Sequence, residues 1–192
     1  MAIVAEIEKR RALRAVSEEA LDKEVLIRLA EAAHMAPSST NNQPWRIITV
    51  VDPKQLSEFR ETLSEGNYWA KKAPAISAFV TNSTWSSQLD KRDLAFFELG
   101  MAAMAYQIQA TAENLIAHPI NGFDNAKAKK VLGIGENEVL EILIVVGKPG
   151  DNSSLNEQHK KAETFKRERK PLESIFAFDS WHEKLEAKVN KK

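Results

Sequence analysis

Apolar positions near the start of the chain recur at helical spacing. Leu21, Val25, Leu29 and Ala32, joined by Leu26, Ala30 and Ala33, form a broad stripe. Ser17 stands where it can cap that helix, with Glu18 and Glu19 favouring its dipole. Ahead of it, Ile3 to Arg14 is predicted as a short amphipathic helix. The period then shortens. Trp45 to Val51 and Ala75 to Thr81 are predicted strands, the first stopped by the Asp52-Pro53 turn. Glu141 to Gly147 is a mostly continuous apolar run, which suits a strand buried on both faces. Lys54 to Leu63 is predicted as a surface helix, and Ala126 to Leu132 as a short helix with its lysines outward. Phe96 to Leu115 is the most apolar helix, and its Met and aromatic residues read as core. From Asp151 the chain turns polar, with no further core element expected before an apolar SIFAF and a final helix from Ser180.

Composition narrows the function. A chain of 192 residues is predicted to be one domain with a sizeable core. Its 27 basic and 27 acidic side chains balance, which argues against a dedicated nucleic-acid binder. It has no cysteine, so disulfides, thiolate nucleophiles and iron–sulfur clusters are excluded. The start, MAIVAEIEKRR, carries charge where a signal peptide needs apolar residues, and no run approaches membrane-spanning length. A soluble, cytoplasmic protein is expected.

Polar residues concentrate in a few places. Ala36 to Trp45, APSSTNNQPW, joins the first long helix to the first strand. Hydrogen-bonding side chains fill every position from Ser38 to Gln43, more than a plain turn needs. Taken alone, this is either a well-capped surface loop or a binding loop. Arg10, Arg11 and Arg14 cluster near the start, and 10 and 14 would share a helix face. Arg167 and Arg169 share a face if their segment is extended. Arginine's planar fork suits phosphate, although a solvated surface explains any isolated basic cluster equally well. GNYWAKKAP, residues 66 to 74, offers Asn67 for hydrogen bonding, and Lys71 or Lys72 as a positive charge. In HPINGFD, residues 118 to 124, Gly122 permits close approach of a ligand. His34 and His118 receive no role. Gly133-Ile134-Gly135 lacks a glycine at position 138, so no dinucleotide fingerprint is present.

The P-S-S-x-N-x-Q-P-W loop resembles the signature of the nitroreductase family of FMN-dependent oxidoreductases. Segments near residues 10, 67, 98, 119 and 167 match in the family's order. The resemblance implies an α+β fold with a central, mainly antiparallel sheet flanked by helices. It implies an intertwined homodimer with two FMN sites at the interface and an arm, from about residue 151, around the partner. Arg10, Arg11 and Arg14, with Ala12 where relatives usually have Ser, and Arg167 and Arg169 would hold the FMN phosphate. Pro37, Ser38, Ser39 and Asn41 would reach the flavin in the neighbouring subunit's site. Asn67 and Lys71 or Lys72 would face the ring's pyrimidine edge, and Pro119, Ile120, Asn121 and Gly122 would lie near N5. Glu98 and Gly100 match an acidic-x-Gly pair, while Asn121 replaces a frequent Glu. The short segment 83–95 stands where iodotyrosine deiodinases carry a long lid, which favours a permissive site. The implied reaction is ping-pong: NADH or NADPH donates hydride, leaves, and a nitroaromatic, quinone or free flavin takes its slot. No side chain is expected to be an obligatory acid. Two other readings are an FMN-binding protein without turnover and a phosphate- or nucleotide-binding dimer without flavin.

Overall fold

The computed structural model describes residues 3–185. Helices and strands follow as α1 (Ala5–Lys9), α2 (Lys23–His34), β1 (Arg46–Val50), α3 (Pro53–Arg60), β2 (Ala75–Thr81), β3 (Gln88–Leu89), β4 (Arg92–Asp93), α4 (Leu94–Ala112), β5 (Ile116–Ile120), α5 (Asn125–Leu132), β6 (Val139–Gly147) and α6 (Glu157–Thr164). Four strands form one sheet in the order β1-β2-β6-β5, every neighbouring pair antiparallel. The α+β architecture with an antiparallel sheet matches the expectation.

Alternation along β2 builds two layers. Ile76, Ala78 and Val80 join Leu143 and Val145 of β6 in a core with Leu56, Phe59, Trp69 and Ala128. Ala75 and Phe79 join Ile144 and Val146 in a second core, with Leu26, Leu29, Leu99 and Tyr106. Helices thus cover both faces, which is why β2 and β6 are nearly apolar throughout. Tyr106 crosses into the sheet: its hydroxyl lies 2.8 Å from Ser77 Oγ, which lies 2.9 Å from Thr49 Oγ1. Burial pushes the tyrosine up to about 12. Tyr106→Phe leaves this buried chain short of one partner. It is expected to destabilise the fold by about 1–2 kcal/mol, read as a lower urea midpoint at unchanged m-value.

Several boundaries differ from expectation. The first helix stops at Lys9, and Arg10 turns extended with ψ 124. The backbone N–H groups of Arg14 and Ala15 are taken by Glu163, at 2.8 and 3.2 Å, so they are not available for a helix. Arg10 and Arg14 therefore share no helix face. Ser17 does not cap α2, which begins at Lys23 after Asp22; its Oγ instead accepts the N–H of Glu19 in a local turn. The segment 116–120 is an outer strand, where Pro119's missing N–H is tolerated. The polar stretch after Asp151 contains α6, capped by Asn156, whose side chain accepts His159 N–H at 2.8 Å. The final helix expected from Ser180 starts as one 3-10 turn at Glu183–Leu185; the rest of that expectation lies outside the described residues. No helix among the described residues is long and apolar enough to cross a membrane.

Candidate functional site

The two separated basic segments meet. Arg167 donates to the carbonyls of Ile7, at 3.1 Å, and of Arg10, so the tail lies on the end of α1. Burial, then the charges of Arg167 and Arg169, hold the Arg10 guanidinium below its ordinary value. Among the described ion pairs none engages Arg10, Arg14, Arg167 or Arg169. The nearby Glu163 carboxylate is occupied by the Arg14 and Ala15 amides. Positive charge in excess of that one carboxylate, in one partly covered place, is the arrangement that attracts an anion. Arg11 points elsewhere, donating to Ala162 O on α6 at 3.1 Å, and Ala12 is exposed with no side-chain donor to offer.

Behind the arginines lies an aromatic stack that the sequence did not flag. Arg14 sits 5.9 Å over the buried Trp69 ring, and His118 lies against the same indole with centroids 4.6 Å apart. Nδ1 of His118 lies 2.9 Å from Leu13 O, so that nitrogen carries the proton. Burial is the largest cause, with Arg14 and Arg10 adding to it, in lowering His118 to about 4. Near pH 7 it is a neutral imidazole. An unfolded His118 titrates near its ordinary 6.5, so between 6.5 and about 4 only the unfolded chain takes the proton. Stability is thus full above about 6.5 and lost as pH falls toward 4. Urea unfolding at pH 7 and pH 5 is expected to show a fall larger by about 2 kcal/mol in the native protein than in His118→Gln.

α6 closes over this stack. Tyr68 accepts Asn156 N–H at 2.8 Å, and its hydroxyl lies 3.1 Å from His159 Nδ1, the two rings being stacked. The signal for α6 was an Asn at its cap; its mostly polar sequence hid it, since no residue in it is buried.

A second cluster sits beside the first. Asn67 Nδ2 donates to Gly122 O at 2.8 Å, and Ser64 N–H donates to the same carbonyl at 2.9 Å. A Cβ on Gly122 would lie 2.5 Å from Ser64 Oγ and 2.7 Å from Asn67 Nδ2, so glycine allows the two loops to close. Ile120 is buried, Pro119 half-buried and Asn121 exposed at this rim. Lys71 pairs with Glu61 at 3.6 Å, and Lys72 donates to Ser154 at 2.9 Å. Neither lysine hydrogen-bonds Asn67 here.

The third cluster, 36–45, lies apart. Thr40, Asn41 and Gln43 all take positive φ, at 48, 59 and 50 degrees. Ser38 Oγ accepts Gln43 N–H at 2.9 Å, and Ser39 N–H donates to the buried Glu98 at 2.6 Å. Pro37 and Asn41 are exposed. This loop enters β1, one outer strand, whereas Arg14, His118 and Gly122 flank β5, the other. Three strand spacings, about 14 Å, separate those edges. One chain does not bring Ser38, Ser39 and Asn41 to the arginines.

Comparison with known proteins accords with this geometry. The Nitroreductase family profile matches residues 7–68 and 61–148. A protein of Thermus thermophilus named NADH dehydrogenase is 24% identical over 174 residues, covering 74% of this chain and 84% of that one. An iodotyrosine deiodinase of Nematostella vectensis is 24% identical over 200 residues, covering 88% and 72%. A solved structure of an oxidoreductase containing FMN superposes with a TM-score of 0.85 at 25% identity, covering 95% and 94%.

Proposed function

The chain belongs to the nitroreductase family, and from that premise we propose that it is an FMN-dependent oxidoreductase that draws on NADH or NADPH and reduces nitroaromatics, quinones or free flavins. The observation that carries this reading is the convergence of Arg10, Arg14, Arg167 and Arg169 without a carboxylate partner. A dianionic phosphate fits that set. The absence of a Rossmann glycine pattern favours a monophosphate flavin over a dinucleotide.

FMN, when bound, supplies a ring that accepts hydride from a nicotinamide and passes it to an acceptor. The chain's own residues bind and orient. The arginines hold the phosphate by forked, charge-assisted hydrogen bonds. The Asn67–Gly122 contact fixes the rim at which the ring edge would rest. Lys71, though paired with exposed Glu61, and Lys72 supply positive charge on the same turn, which favours an anionic reduced state. No side chain here needs to transfer a proton as an obligatory step.

The protein works as a homodimer in this reading. The loop 36–45 and the arginines lie at opposite sheet edges, so a second copy supplies Pro37, Ser38, Ser39 and Asn41 to each site. α4, apolar nearly all round, leaves Phe97 and Gly100 exposed. Leu172, Ile175, Phe178 and Trp181 are also exposed on the arm, which would cover a partner. β1 keeps an unpaired outer edge beside an apolar groove lined by Leu26, Ile27, Ala30 and Ile47.

Initial rates with varied NADH or NADPH and a varied quinone test the cycle. Parallel double-reciprocal lines are expected, since donor and acceptor use one slot in turn. Intersecting lines would show that both bind together and contradict it.

A further inference from the structure

Glu98 lies in the first half of α4 and is only 3% exposed. A buried carboxylate is costly unless donors surround it. Its two oxygens reach two different segments. One accepts Ser39 N–H at 2.6 Å, and the other accepts the Ser86 hydroxyl at 2.6 Å. Beside it, Ser39 Oγ lies 3.1 Å from Ser87 Oγ. Arg46, at the exit of the same loop, covers the Trp85 ring at 4.6 Å. Segment 82–93 is itself tied down: Asn82 accepts Thr84 N–H, Ser83 donates to Asp93, and Asp93 accepts Ala95 N–H at the start of α4.

The loop needs such an anchor. Three non-glycine residues at positive φ each cost of the order of 1 kcal/mol, and persist only where the surroundings hold them. Ser38 supplies one internal tie through Gln43. Glu98 supplies a buried, charged tie to the rest of the molecule, beside the Ser39–Ser87 contact and the Thr81 hydroxyl that donates to Pro44 O at 2.6 Å.

We propose that Glu98 is a positioning residue that joins segment 82–93 to the loop 36–45 and sets the presentation of Ser38, Ser39 and Asn41 to FMN. This rests on the reading that the loop contacts FMN. Glu98 itself need not touch the cofactor. Its effect passes through Ser39, and a shift at Ser86 reaches the cofactor loop along the same path.

The test is titration of the full-length apoprotein with FMN, followed by flavin fluorescence, for four forms. Glu98→Ala is expected to bind FMN at least 10-fold more weakly. Glu98→Gln is expected to keep native affinity, because its amide oxygen still accepts Ser39 N–H and its NH2 can donate to Ser86 Oγ. Ser86→Ala, which leaves Glu98 on Ser39 alone, is expected to lose about threefold. Native affinity in a folded Glu98→Ala would overturn the proposal, as would a Gln variant as weak as the Ala variant. If Glu98→Ala does not fold, Ser86→Ala decides: a threefold loss supports the link and unchanged affinity overturns it. A native protein that binds no FMN would remove the underlying reading. Native binding with unaffected variants would remove this inference alone.

Discussion

Alanine at both Arg167 and Arg169 is expected to weaken FMN binding by about 100-fold or more. Each guanidinium-to-phosphate contact is worth about 1.5–3 kcal/mol, so two removed together exceed about 3 kcal/mol. The fold itself should tolerate the change. Arg169's only described hydrogen bond runs to the neighbouring Glu168 carbonyl, and Arg167 holds the exposed tail to Ile7 and Arg10. The loss therefore appears in an FMN titration of the apoprotein, with the circular dichroism spectrum unchanged. Native affinity tightens as salt is lowered, and that dependence is shallower in the double variant. Arg11→Ala makes the contrast, since Arg11 engages Ala162 O, and its effect on FMN should be several-fold at most. Full affinity in the double variant would rule out the arginine set as the phosphate site.

Gly150→Ala carries the largest expected cost to stability. A Cβ at this position would sit 2.6 Å from Ser17 N, 2.8 Å from Val16 C and 2.9 Å from Ser17 Cα. These are backbone atoms in a segment held on both sides. Gly150 N–H donates to Ala15 O at 2.7 Å, Ser17 N–H donates to Lys148 O at 2.8 Å, and Val16 bridges Pro149. No side-chain rotation relieves the overlap, so the two segments must part. A loss of about 2–4 kcal/mol in chemical unfolding is expected. The same parting frees residues 10–17, which carry Arg10 and Arg14, so FMN affinity should fall with it. Gly66→Ala is the control: nothing lies within 4 Å of its added Cβ. Equal stabilities for the two variants would contradict the close approach.

How much of this was legible in the sequence depends on how local each cause is. β2 and β6 were visible because apolar residues on both faces leave a near-continuous run, and the structure buries all seven residues of β2. α4 was visible for the same reason. α1 was over-extended because its end is set from far away: Glu163, 149 residues on from Arg14, takes amides that a continuing helix would have used. β5 was missed as a strand because His and Pro interrupt its apolar pattern, and only its position at the sheet edge makes Pro119 acceptable. The same limit applies to the candidate site. That residues near 10 and near 167 could share one anion was readable from residue type and the family resemblance. That Arg11 turns to α6, that Trp69 and His118 stack behind Arg14, and that His159 stacks on Tyr68, was not. A buried aromatic looks like core in a sequence, and a polar helix with no buried residue leaves no periodic signal. Glu98 stood out only as half of a short motif; the two segments it joins are far apart in the chain and meet only in the fold.

The most direct measurement is the visible spectrum of the purified protein under anaerobic conditions, before and after NADH and then NADPH. Oxidised flavin absorption is expected, present as isolated or after adding FMN, that bleaches with at least one donor and returns when a quinone is added. Bound flavin that stays oxidised with both donors would contradict turnover, and failure to take up FMN at all would contradict the site.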